Sequence, residues 1–116
     1  MLVLAVVTLL SVLLHVGVGW EATVLAGVVG GAWPRDRWLV GGAGVALAWG
    51  LLVLYTPVAA PAAFRVLLDT LGAFAGNIPG EIVVGLTVFL GGLLGALGAA
   101  IGRLGRLLVA DASDSA

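Results

Sequence analysis

Cysteine is absent from this chain, and so is lysine; every basic residue is an arginine. The first absence excludes disulfides, thiol chemistry and cysteine metal sites. Charge of either sign is scarce. Charged residues make up 9% of the sequence, where a soluble domain carries roughly 25% to maintain a solvated shell. The formal net charge of −1 leaves no global basic field to attract nucleic acid. In their place stand hydrophobic residues, at 62%, and 19 glycines among 116 residues. Glycine at that density weakens helices in water, but in a bilayer small residues let helix backbones approach closely. Both excesses are explained if lipid is the solvent. The expected fold is all-α: an integral membrane bundle of three to four transmembrane helices plus one amphipathic interfacial helix. It forms a single domain over residues 1–110, followed by a short acidic tail over 111–116.

Spanning a bilayer takes about 20 apolar residues. Four segments compete: Leu2 to Val18, Trp20 to Trp33, Trp38 to Thr56 and Glu81 to Gly102. The third and fourth are long enough and uncharged between their ends. The apolar run at the start has no basic residue before it, and is expected to be a retained helix rather than a signal peptide. His15, Gly17, Gly19 and Glu21 interrupt the first two segments. Either one long tilted helix or a tight hairpin turning near Gly17 to Glu21 is compatible with this. The hairpin is preferred, because Glu21 is costly at bilayer depth and Trp20 suits an interface; the second span is then short. Trp20, Trp33, Trp38 and Tyr55 stand at segment ends, as an aromatic belt requires. Trp49 lies mid-segment and is expected to pack on a helix or on lipid tails.

Arginine placement sets the orientation. Arg35 and Arg37 precede the third segment, and Arg103 and Arg106 follow the fourth. The positive-inside rule makes these four the inner-face charges and puts the C-terminus inside. Three and four spans differ only in the side of the N-terminus. Pro57 and Pro61 are expected to end the third helix. A helix over Ala62 to Ala75 follows, with Arg65 and Asp69 as an i, i+4 pair and Phe64, Leu67, Leu68, Leu71 and Phe74 on the opposite face. It reads as an interfacial or re-entrant helix. After a turn at Gly76 to Gly80, Glu81 favours the positive end of the last helix dipole, and Arg103 and Arg106 favour its negative end.

The most marked pattern is in the last span. Gly91, Gly95, Gly98, Gly102 and Gly105 fall at spacings of four and three, on one helix face. They form a helix-packing groove, for another helix of the same chain or for a second copy. Gly41, Gly44 and Ala48 make a shorter stripe, as do Ala22, Ala26 and Gly30. Thr8, Ser11 and His15 share one face of the first helix. A lone histidine can relay protons, but no second ionisable group in its span completes a relay, so a helix–helix hydrogen bond or an interfacial location is expected for His15.

No His/Cys/Asp cluster, phosphate loop or paired carboxylates suggest catalysis. No catalytic, cofactor-binding or metal residue is assigned, and no cofactor is expected. The mid-span glutamate of small multidrug exporters, the phenylalanine track of fluoride channels and the mid-helix carboxylate of rotary ATPase proteolipids are all missing. In layout the chain resembles the small internal membrane proteins of pleomorphic, membrane-enveloped (pleolipovirus-type) viruses of haloarchaea. The matching features are several spans with minimal loops, the lysine-free Arg103–Arg106 end and the acidic stretch from Asp111 to Ala116. That resemblance implies a non-enzymatic viral envelope protein on the inner membrane face of the virion. The expected function is a structural membrane protein that packs or self-associates through glycine-lined faces. Its partners are the lipid bilayer and copies of itself or other membrane proteins, with no specific nucleic-acid binding. A small pore-forming or transport protein, holin-like or a channel subunit, is the alternative.

Overall fold

The computed structural model describes residues 1–33 and 38–115, and all elements in this range are helical. Helix α1 spans Leu2–Gly17, α2 Thr23–Ala32, α3 Trp38–Ala59, α4 Pro61–Phe74 and α5 Gly80–Asp114. A short 3-10 turn, Trp20–Ala22, precedes α2.

The chain reverses between α1 and α2, as the hairpin reading expects. Helix α1 stops because the amides of Val18 and Gly19 both donate to the Leu14 carbonyl, at 2.9 and 3.0 Å. Gly19 then takes φ +146°, a conformation that a Cβ disfavours. Thr23 Oγ1 donates to the Trp20 carbonyl at 2.6 Å and ties the 3-10 turn to the start of α2. At its other end α2 gives way to extended backbone at Trp33, the residue before Pro34, where α geometry is disfavoured.

Two expectations about helix ends are corrected. Pro57 does not end α3; it lies inside it, and the helix runs to Ala59. A proline so close to the end removes a single ladder bond, and the Ala60 amide still reaches the Thr56 carbonyl at 2.9 Å. Pro61 instead opens α4 at its first turn, where its missing amide costs nothing. The last helix does not stop at Gly102 either. No strong helix breaker occurs in the leucine- and alanine-rich stretch after it, and α5 continues through the acidic residues to Asp114. Arg103 and Arg106 therefore lie well before the helix end. The dipole acts only within the last turn, and that turn holds no basic residue. Glu81 does stand in the first turn of α5.

Helices α1, α2, α3 and α5 form an up-and-down bundle. Helix α5 packs against both α2 and α3, and α1 closes the other side against α2 and α3. Among the described elements, helix α4 touches only α3 and α5. The turn that returns the chain to α5 uses Gly76 at φ +92° and Asn77 at φ +63°. Gly72 is buried beneath this turn and accepts a hydrogen bond from the Ile78 amide at 3.1 Å.

Among the described residues, only α3 and α5 are long and apolar enough to cross a membrane. Helix α1 is apolar but has 16 residues, and α2 has 10.

Candidate functional site: the glycine-lined helix junction

Residue size is distributed in an unusual way. The buried hydrophobic residues are Val7, Ala22, Ala26, Val45, Ala48 and Ala99, while leucines such as Leu9, Leu13, Leu51, Leu54, Leu97 and Leu104 are more than half exposed. The interior is made of small residues because the backbones themselves are in contact.

The contact is densest where α2, α3 and α5 meet. A Cβ on Gly91 would lie 2.5 Å from Trp49 Cγ, and one on Gly95 would lie 2.6 Å from Val45 Cβ, both on α3. Farther along α5, a Cβ on Gly98 would strike the Val24 carbonyl oxygen, and one on Gly102 that of Val28, both on α2. The face thus serves two neighbours, α3 at its start and α2 at its end. Gly105 has the same register, but no described residue lies within 4 Å of its Cβ position. Four of the five stripe glycines are filled by helices of their own chain.

The shorter stripes meet neighbours as well. A Cβ on Gly41 would lie 2.7 Å from Ala99 Cβ, and one on Gly30 2.8 Å from Gly41 Cα. Val7 of α1 fits between α2 and α3: its Cγ1 would be 2.6 Å from a Cβ on Gly44, its Cγ2 3.0 Å from one on Gly30. Ala22, Ala26 and Ala48 are buried. The sequence reading overlooked Gly27 and Gly31. Their Cβ positions fall on the backbones of Gly95 and Ala99, and these two residues form the α2 half of the junction. Their four-residue spacing was visible in the sequence, but nothing there showed that α2 packs on two sides at once.

The polar face of α1 points inward. Thr8 Oγ1 donates to the Gly44 carbonyl at 3.2 Å, a bond between helices. Ser11 is fully buried. His15 meets Trp49 edge-on, with ring centroids 5.4 Å apart. The interhelical bond on this face is thus made by Thr8, and His15 meets its neighbour through a ring contact. Ser11 Oγ, His15 Nδ1 and Trp49 Nε1 are buried with no hydrogen-bond partner among the described residues.

Of the inner-face arginines, Arg103 and Arg106 are half-buried on α5; Arg35 and Arg37, and the Trp38 side chain, lie outside the described residues. Trp33 and Tyr55 are exposed, at 37% and 66%. On α4, Arg65 and Asp69 are both exposed, and Phe64 and Leu68 are the half-buried members of the apolar face. Leu67, Leu71 and Phe74 are left uncovered. A groove of about 550 Å³ between α1 and α3 is lined by Leu4, Leu9, Val12, Leu47 and Leu51, with Thr8 as its polar member. Such a lining suits a hydrocarbon chain rather than a reacting group. Among the described residues, no three His, Cys, Asp or Glu side chains gather as a metal site would require. Compared with known protein families, curated proteins and solved structures, the chain matches none.

Proposed function

We propose that this chain is an integral membrane protein with a structural role, a rigid helical component of a cellular membrane or a virion envelope. The observation that carries this reading is the distribution of residue size, with glycine, alanine and two valines, Val7 and Val45, inside and the leucines and phenylalanines mostly outside. In water this would expose an apolar surface far larger than soluble proteins tolerate. In lipid the exposed leucines cost nothing, and close backbone packing provides the association that the hydrophobic effect no longer supplies. Helices α3 and α5 are the crossings in this reading. From Glu81 to Arg103 is about 33 Å at 1.5 Å per residue, close to the roughly 30 Å hydrocarbon core. The Arg103–Arg106 end faces the inside by the positive-inside rule, and α4 lies in the opposite interface with Leu67, Leu71 and Phe74 towards lipid.

The interior supports a structural role over a pore. The bundle axis is filled by Val7, Ala26, Val45, Ala48 and Ala99, where a conducting pathway needs polar lining. Filling of Gly91, Gly95, Gly98 and Gly102 from within the chain favours packing over self-association through that face. Flotation with liposomes after alkaline extraction tests membrane integration, and ion flux across the same liposomes tests the pore. Release of the protein by alkali overturns the membrane reading; steady flux at low protein-to-lipid ratio overturns the structural one.

A further inference from the structure

The α1–α2 hairpin is shorter than the helices it packs on, and contacts across the bundle fix its level. Gly27 lies against Gly95 and Gly31 against Ala99, so α2 and α5 run parallel and in step. Glu21 precedes Gly27 by six residues, and Glu81 precedes Gly95 by fourteen. At 1.5 Å per residue, Glu21 stands about 12 Å below Glu81 along the bundle axis. Contacts on α1 agree: Val7 meets Gly44 and His15 meets Trp49, so the hairpin tip is near the middle of α3. Trp20 is 58% exposed there, and Glu21 is exposed beside it. Sequence reasoning placed both at an interface, yet α3 and α5 continue well beyond them with Leu54, Val58, Ile82 and Leu86 exposed.

We infer that the hairpin holds a one-sided depression in the bilayer, drawing water and lipid headgroups down to Trp20 and Glu21. This rests on the reading of α3 and α5 as crossings. A charged carboxylate facing hydrocarbon at that depth is too costly to persist, whereas local thinning costs a fraction of a kcal/mol per ångström of mismatch. An indole beside the charge is the side chain that favours a headgroup boundary. Inside the bundle beneath the tip, Ser11 Oγ, His15 Nδ1 and Trp49 Nε1 are buried and find no hydrogen-bond partner among the described residues. Buried polar groups of this kind are commonly bridged by water.

The natural absence of cysteine makes the inference directly testable. Single variants Val18→Cys and Glu21→Cys sit at the tip, Leu86→Cys and Leu90→Cys on the outer face of α5, and Asn77→Cys in the turn beyond the membrane. All five positions are exposed, so the packing is undisturbed. Each variant is reconstituted in phosphatidylcholine vesicles opened to both sides and treated with a charged maleimide. Reaction requires a hydrated thiolate. The tip variants are expected to label within about tenfold of Asn77→Cys, and the α5 variants at least about a hundredfold more slowly, because a thiol in hydrocarbon stays protonated. Labelling in detergent shows that every thiol is competent. If the tip variants are as unreactive as the α5 variants, the depression is overturned while α3 and α5 remain crossings. If Leu86→Cys and Leu90→Cys label as fast as the tip, the crossing reading itself is overturned, and the inference with it.

Discussion

Between Gly91 and Gly102, α5 buries Gly91, Gly95, Gly98, Ala99 and Gly102; between Gly80 and Leu90 it buries no residue. Helix α3 divides in the same way, with Gly41, Gly42, Gly44, Val45 and Ala48 buried and nothing buried from Trp49 onward. The first region is a four-helix junction built on backbone contact. The second is a pair of helices joined by α4, with half-buried Val53, Thr56, Val84 and Val88 between them. Glycine content alone does not separate the two, since Gly50 and Gly85 lie in or beside the second region with nothing within 4 Å of their Cβ positions. What separates them is the reach of the α1–α2 hairpin, which ends where the dense packing ends. Glycine is structurally decisive in this chain where three helices compete for one space, and incidental elsewhere.

Substitutions across the two regions put this contrast to the test. The largest effect is expected for Gly98→Leu or Gly102→Leu, whose side chains would meet α2 carbonyl oxygens. The helices must separate, at a cost of about 3 kcal/mol or more, seen as loss of the cooperative thermal transition in detergent. Gly95→Leu, against Val45, belongs to the same class. Next comes Val7→Ala, which empties the space between Gly30 and Gly44; about 1–3 kcal/mol is expected, as a lowered midpoint in denaturant. Thr8→Val removes the bond to the Gly44 carbonyl and should lower stability by about 0.6–1.7 kcal/mol in the same assay. The smallest change is expected for Gly85→Leu and Gly105→Leu. With no described residue within 4 Å of either Cβ position, stability should be unchanged or raised by up to about 1 kcal/mol, the gain in helix propensity. A loss at Gly85 as large as that at Gly98 would erase the distinction between the regions. A loss confined to Gly105, with the isolated subunit unaffected, would show that this glycine meets a second copy.

Much of the helical framework was legible in the sequence. A long apolar run between polar ends leaves the chain few alternatives to a helix, and the α3 and α5 runs are of that kind. The α1–α2 reversal was signalled by Gly17, Gly19 and Glu21, because glycine and a charge interrupt an apolar helix in different but additive ways. Pro57 misled because proline constrains its own backbone and one bond, not the fate of the next turn. The extension of α5 past Gly102 was obscured by reading the charged residues as an end, although charge by itself does not break a helix.

By itself, then, the sequence determined the all-helical class, the long apolar runs of α3 and α5, and the three-and-four spacing that aligns Gly91, Gly95, Gly98, Gly102 and Gly105. These follow from composition and local periodicity, which act within a few turns of one helix. Only the tertiary structure decided which helix fills each glycine, that Gly27 and Gly31 complete the junction, that no described helix fills Gly105, and that Trp20 and Glu21 stand near mid-height. Those depend on how far one helix slides along another. That register is fixed by the fit of Val7, Val45 and Trp49 into gaps that exist only once the helices have met.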